Sequence, residues 1–261
     1  MIIPLMISSL SVGITLLYAS RLDIQDRRVP FRTWYPMLIV GIPMTLLFYG
    51  SLLMVEPGLA LRYLGLVGLF CALFYLFAYL RLFGGADAWA LIFIGALVPL
   101  FPLEPYFGYP ALQLFPFTVL TNAVILNLAT PLGIAIVNKI KGNRAPFPYP
   151  FFGFPVPGER IEQYFGFVME EIKEEDDYLT RRFLTVRESL GRLFRGEDRL
   201  YTKDMRLHPE EYREERELFR KAGEVWISYG VPFIVPITAG FFTALLAGDL
   251  LFTMMKYALG V

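Results

Sequence analysis

Long stretches without charge constrain this chain more than any other feature. Ile2–Ser20 and Trp34–Val55 contain no Asp, Glu, Lys or Arg, Leu59–Leu80 contains only Arg62, and Gln113–Ile140 contains only Lys139. Each run reaches the roughly 17–25 apolar residues that carry a helix across hydrocarbon. Lipid offers the backbone no hydrogen-bond partners, so such a segment must satisfy its own N–H and C=O groups, and a helix does this. With 56% hydrophobic residues against 18% charged, an ordinary soluble domain is excluded.

Two further apolar segments, Ala88–Phe101 and Val225–Tyr257, bring the predicted spans to six. Ala88–Phe101 has only 14 residues, so its helix is expected to start below the membrane surface or to sit sunk among its neighbours. Glu56-Pro57-Gly58 reads as a tight turn between the second and third spans, and residues 102–112 as an aromatic interfacial loop. The formal net charge of zero hides a segregation: charges are sparse before residue 140 and crowd between 141 and 224. The expected organisation is a membrane bundle at 1–140, a polar insertion at 141–224, and a sixth span at 225–261 that completes the bundle.

Within the insertion, the Pro- and Phe-rich run Ala145–Gly158 reads as extended. Ile161, Tyr164, Phe165, Val168 and Ile172 recur at helical spacing, which predicts an amphipathic helix, and further helices are expected around 178–195 and 209–222. The fold class predicted is therefore an all-α polytopic membrane protein, six transmembrane helices with a helical cytoplasmic insertion between the fifth and sixth. Arg21, Arg27, Arg28 and Arg32 follow the first span, Arg81 the third, and the insertion the fifth, whereas the alternate loops carry Glu56 and Glu104. The positive-inside rule then puts the N-terminus outside and the insertion in the cytoplasm. The first span has no basic leader and no small-residue cleavage site, so it is expected to be retained.

On this topology Asp23, at the end of the first span, and Asp87, at the start of the fourth, reach the same cytoplasmic depth. Two facing carboxyls in a poorly solvated site share a proton, so one can accept a proton from water while the other donates to a carbonyl. Taken alone, Gly84-Gly85-Ala86-Asp87 is equally a glycine helix stop followed by an aspartate cap, and Asp23 a helix-end charge paired with Arg21 or Arg27. Gly84 and Gly85 would also let a peptide backbone approach closely. Cys71, the single cysteine, supplies neither a disulfide nor a thiolate metal site.

These residues resemble the prepilin and preflagellin (archaellin) peptidase family of intramembrane aspartyl proteases. The resemblance rests on Asp23 with Val29-Pro30 after it, Gly84-Gly85-Ala86-Asp87 as Gly-x-hydrophobic-Asp, Ala19-Ser20, Gly95-Ala96-Leu97-Val98-Pro99, and Val231-Pro232 with Ile234-Val235-Pro236-Ile237-Thr238. It implies that Asp23 and Asp87 are the catalytic pair, that Asp26 is not, and that Gly84, Gly85 and Ala86 line the substrate site. It further implies no cofactor and no metal, and substrates that are preflagellin or pilin-like precursors with a short charged leader ahead of a hydrophobic helix. Membrane lipids are the other expected contact, and nucleic acid is not a partner. An ion or solute transporter using Asp23, Asp87, Asn122 and Asn127 is the rival class. A third reading is a scaffold whose insertion binds cytoplasmic partners. The acidic block Glu170, Glu171, Glu174, Glu175, Asp176 and Asp177 would either attract a basic leader or form local ion pairs with the arginines that follow it.

Overall fold

The computed structural model describes residues 2–80, 82–175, 178–185, 187–188, 200–228, 230 and 232–259. In chain order the helices are α1 (Ile2–Asp26), α2 (Tyr35–Val55), α3 (Pro57–Tyr79), α4 (Gly85–Leu97), α5 (Phe115–Lys141), α6 (Thr202–Leu207), α7 (Arg213–Ala222), α8 (Ile234–Leu246) and α9 (Leu250–Leu259). The strands are β1 (Gly153–Pro157), β2 (Glu170–Glu175), β3 (Tyr178–Phe183) and β4 (Glu224–Ser228). Two units emerge: Met1–Leu128 with Pro232–Val261, and Ala129–Val231. The break falls inside α5.

In the first unit α1, α2, α3 and α5 are long and apolar enough to cross a membrane, and α8 with α9, bent by 59°, makes a fifth as a pair. The chain is a multi-pass membrane protein. At 13 residues, α4 rises only about 20 Å, short of the ~30 Å hydrocarbon core. Length and composition thus support up to five full crossings and one shorter apolar helix. Ile39, Leu46, Leu61 and Leu69 are 64–73% exposed, an outward apolar surface suited to lipid.

Polar groups point inward, each with a task. α4 ends at Leu97 because Pro99 cannot continue it, which orphans the Leu97 carbonyl. The Ser8 hydroxyl of α1 donates to that oxygen at 2.8 Å, and the Thr45 hydroxyl of α2 at 3.1 Å. The bend between α8 and α9 is satisfied from α5: Asn122 donates to the Gly248 carbonyl at 2.8 Å and accepts from the Leu250 N–H at 2.9 Å. Asp249 accepts from Thr118 and Thr121 and caps α9 through the Phe252 N–H. Around these bonds Val12, Leu16, Trp34, Met37, Leu91, Ile94, Phe115, Ile237 and Phe241 form a sealed core.

The second unit corrects the expectation of an all-α chain. β1 pairs antiparallel with β4, and β2 with β3. Ile161, Val168 and Ile172 are all buried in this unit's core, as their spacing suggested, but they lie in a 3-10 turn, a bridge and a strand rather than on one helix. The acidic run forms a strand because a basic strand stands beside it: Glu171 sits opposite Arg182 at 2.6 Å, and Glu170 meets Arg181 at 2.8 Å. Glu174 is bound by Lys221 at 2.7 Å, so these three carboxylates are committed to local ion pairs. Of the expected helix at 178–195, Tyr178–Phe183 is β3, and 189–195 lies outside the described residues. The expected helix at 209–222 is present as α7. The final span begins at Ile234, not Val225, because Val225–Ile227 are held in β4 against Phe154–Val156.

Candidate active site

α1 carries Asp23 one turn before its end. The helix stops where Arg27 adopts a left-handed φ of 53°, and the Arg27 N–H bonds back to the Asp23 carbonyl at 3.1 Å. Asp23 lies half-buried beside this reversal.

Asp87 is the third residue of α4, with Gly84 at the cap position. Its carboxyl is folded back over the Gly84 backbone so closely that a Cβ there would collide with the carboxyl oxygen, while a Cβ on Gly85 would meet nothing within 4 Å. The two glycines therefore differ: Gly84 makes room for Asp87, and Gly85 stands open. Ala86 is half-buried against the core. Phe83, just before this turn, packs edge-on against Phe74 of α3 and Phe233 ahead of α8, with centroids 5.6 and 5.4 Å away. That wedge sets the first turn of α4 beside the first turn of α8.

α1 and α4 pack against each other, with Asp23 three residues before the end of α1 and Asp87 in the first turn of α4. Asp26 is kept apart. It lines a groove of about 750 Å³ between α1 and α2, with Leu22, Arg28 and Arg32. The sequence offers Arg27 as a partner for Asp23, and Arg27 is the residue at which α1 stops. Among the described residues no cluster of His, Cys, Asp and Glu suits a metal ion.

Two half-buried aspartates on packed membrane helices, with a glycine turn before the second, define a class. Residues 10–135 match the type IV leader peptidase family, and residues 145–250 match the archaeal peptidase A24 C-terminus type II. Among particular proteins it is similar to the preflagellin peptidase of Methanocaldococcus jannaschii, with 26% identity over 253 residues that cover 94% of this chain and 95% of the relative. It is also similar to the preflagellin peptidase of Methanococcus maripaludis, with 24% identity over 252 residues, 94% of this chain and 96% of the relative.

Proposed function

We propose that the protein is an intramembrane aspartyl endopeptidase that removes the short charged leader of preflagellin or pilin-like precursors, and that Asp23 and Asp87 are its catalytic pair. The observation that carries this reading is the packing of α1 against α4, which carry the half-buried Asp23 and Asp87, while Asp26 is exposed and lines a groove with Leu22, Arg28 and Arg32. Such a pair holds one proton between two oxyacids, the arrangement that lets one activate water while the other protonates the scissile carbonyl. The family match over residues 10–135 and the names of the two relatives support leader removal as the reaction.

In this reading α4 is a sixth, sunken membrane helix, the N-terminus is outside, and the insertion lies in the cytoplasm with the active site on that face. A leader that emerges from its own hydrophobic helix at the cytoplasmic boundary would meet the aspartates at its junction. Gly84, Gly85 and Ala86 form the turn over which the substrate backbone passes, and Gly85 leaves the open space for it.

The test is leader removal from a tagged archaellin precursor by the membrane-reconstituted protein. Asp23→Ala and Asp87→Ala are each expected to lower the rate by about 100-fold or more, with Asp26→Ala close to wild type. Retained cleavage in either of the first two folded variants overturns the assignment.

A further inference from the structure

The groove between α1 and α2, with a volume of about 750 Å³, takes no part in the candidate site described above. Ile14, Tyr18 and Leu22 line one side at the spacing of a single helix face, and Pro36 of α2 lines the other. Ile14 and Tyr18 are 60% and 55% exposed, so the groove opens outward on the apolar surface of the bundle. From Ile14 to Asp26 it follows α1 for about 18 Å, at about 1.5 Å per residue.

One end of the groove is charged. Asp26, Arg28 and Arg32 line it where α1 stops and the chain turns toward α2. The turn is a fixed frame: the Thr33 N–H bonds to the Pro30 carbonyl at 2.9 Å, and the buried Trp34 seats the 3-10 turn Phe31–Trp34 in the core. Among the described residues neither Arg28 nor Arg32 forms an ion pair. Two cations beside one acid leave a local excess of positive charge at the membrane boundary.

Size and charge together select the occupant. A groove open to hydrocarbon fills with acyl chain, because a gap along its walls forfeits dispersion contacts. A helix about 10 Å across and 18 Å long takes up on the order of 1,400 Å³, about twice the space present. A basic peptide is opposed by both arginines. A phosphate suits them, since a guanidinium offers it two parallel N–H donors and a long stem that reaches the headgroup level. A zwitterionic headgroup brings a cation of its own beside the arginines, whereas an acidic one does not.

We propose that this groove binds an acidic phospholipid, with the phosphate held between Arg28 and Arg32 and an acyl chain lying along Ile14, Tyr18 and Leu22. The test is native mass spectrometry of the full-length protein in detergent with equimolar phosphatidylglycerol and phosphatidylcholine of the same chains. The wild type is expected to retain one phosphatidylglycerol per chain, about tenfold over phosphatidylcholine. Arg28→Gln with Arg32→Gln is expected to remove that preference. Lys139→Gln with Lys141→Gln takes the same charge from the end of α5 and is expected to keep it. Equal retention of the two lipids by the wild type, a preference that survives the arginine pair, or one lost equally with the lysine pair overturns the site. In the wild type alone, phosphatidylglycerol with a photoreactive group at the tail end is expected to label residues 14–22, and labelling confined to other segments overturns it too. Displacement of the lipid by a tagged archaellin precursor, one for one, assigns the groove to the leader and overturns the lipid reading. Binding is read without cleavage, so these outcomes are independent of the aspartyl assignment.

Discussion

At the scale of single residues, the two glycines before Asp87 make the sharpest contrast. Gly84→Ala places a methyl where the Asp87 carboxyl lies, so that carboxyl must turn away. Cleavage is expected to fall by about 100-fold while thermal unfolding in detergent stays near wild type. Gly85→Ala meets no atom and adds a better helix former, so its fold and stability should be kept. Any loss of activity there reports on substrate passage alone, seen as a rise in KM. The spacing of Gly-Gly-Ala-Asp was legible in the sequence, but the difference between its glycines was not. It depends on where the Asp87 side chain folds, and that follows from the Phe83 wedge against α3 and the chain entering α8.

At the scale of elements, two joints hold the helices in register. Gly240 lets α8 lie directly on α5, where an added Cβ would stand 2.5 Å from the Val119 carbonyl oxygen and 2.7 Å from the Ala123 nitrogen. Gly240→Leu must push the two helices apart, since backbone cannot give way as a flexible side chain can, and it should abolish a cooperative thermal transition. Asp249→Ala strips the cap of α9 and two threonine partners and is expected to cost about 1–3 kcal/mol, with Asp249→Asn milder, as read from unfolding in mixed micelles. In the insertion, hydrogen bonds from Arg182 and from the backbone and hydroxyl of Thr185 hold the Glu188 carboxyl down to about 2, against a usual 4.5. A carboxyl so lowered adds stability that is present above its usual value and lost as pH falls from there through about 2. Amide exchange at Thr185 should accelerate over that window. Elements here were partly legible. Charge-free runs gave away α1, α2, α3 and α5, whose lengths follow from the apolar span itself. The strands were hidden, because Glu170–Glu175 is a strand only when Tyr178–Phe183 supplies arginines across from it.

For the whole molecule, topology and charge are coupled through the membrane, and this is open to direct measurement. In a Cys71→Ser background, Glu56→Cys should react with an impermeant thiol reagent in intact cells, and Thr185→Cys only after permeabilisation; the opposite pattern reverses the proposed orientation. By itself the sequence determined that the chain carries membrane-length apolar runs, those of α1, α2, α3 and α5, and that Asp23 and Asp87 lie beside the ends of two apolar segments. Hydrocarbon dictates those properties locally, since each span must be apolar and hydrogen-bonded within itself. Only the tertiary structure decided that the insertion contains sheet, that the last span starts at Ile234, and that Asp87 folds back over Gly84. Those outcomes depend on partners far away in the chain. Ser20 lies 218 residues from Thr238, and what one element does there is set by the surface another presents to it.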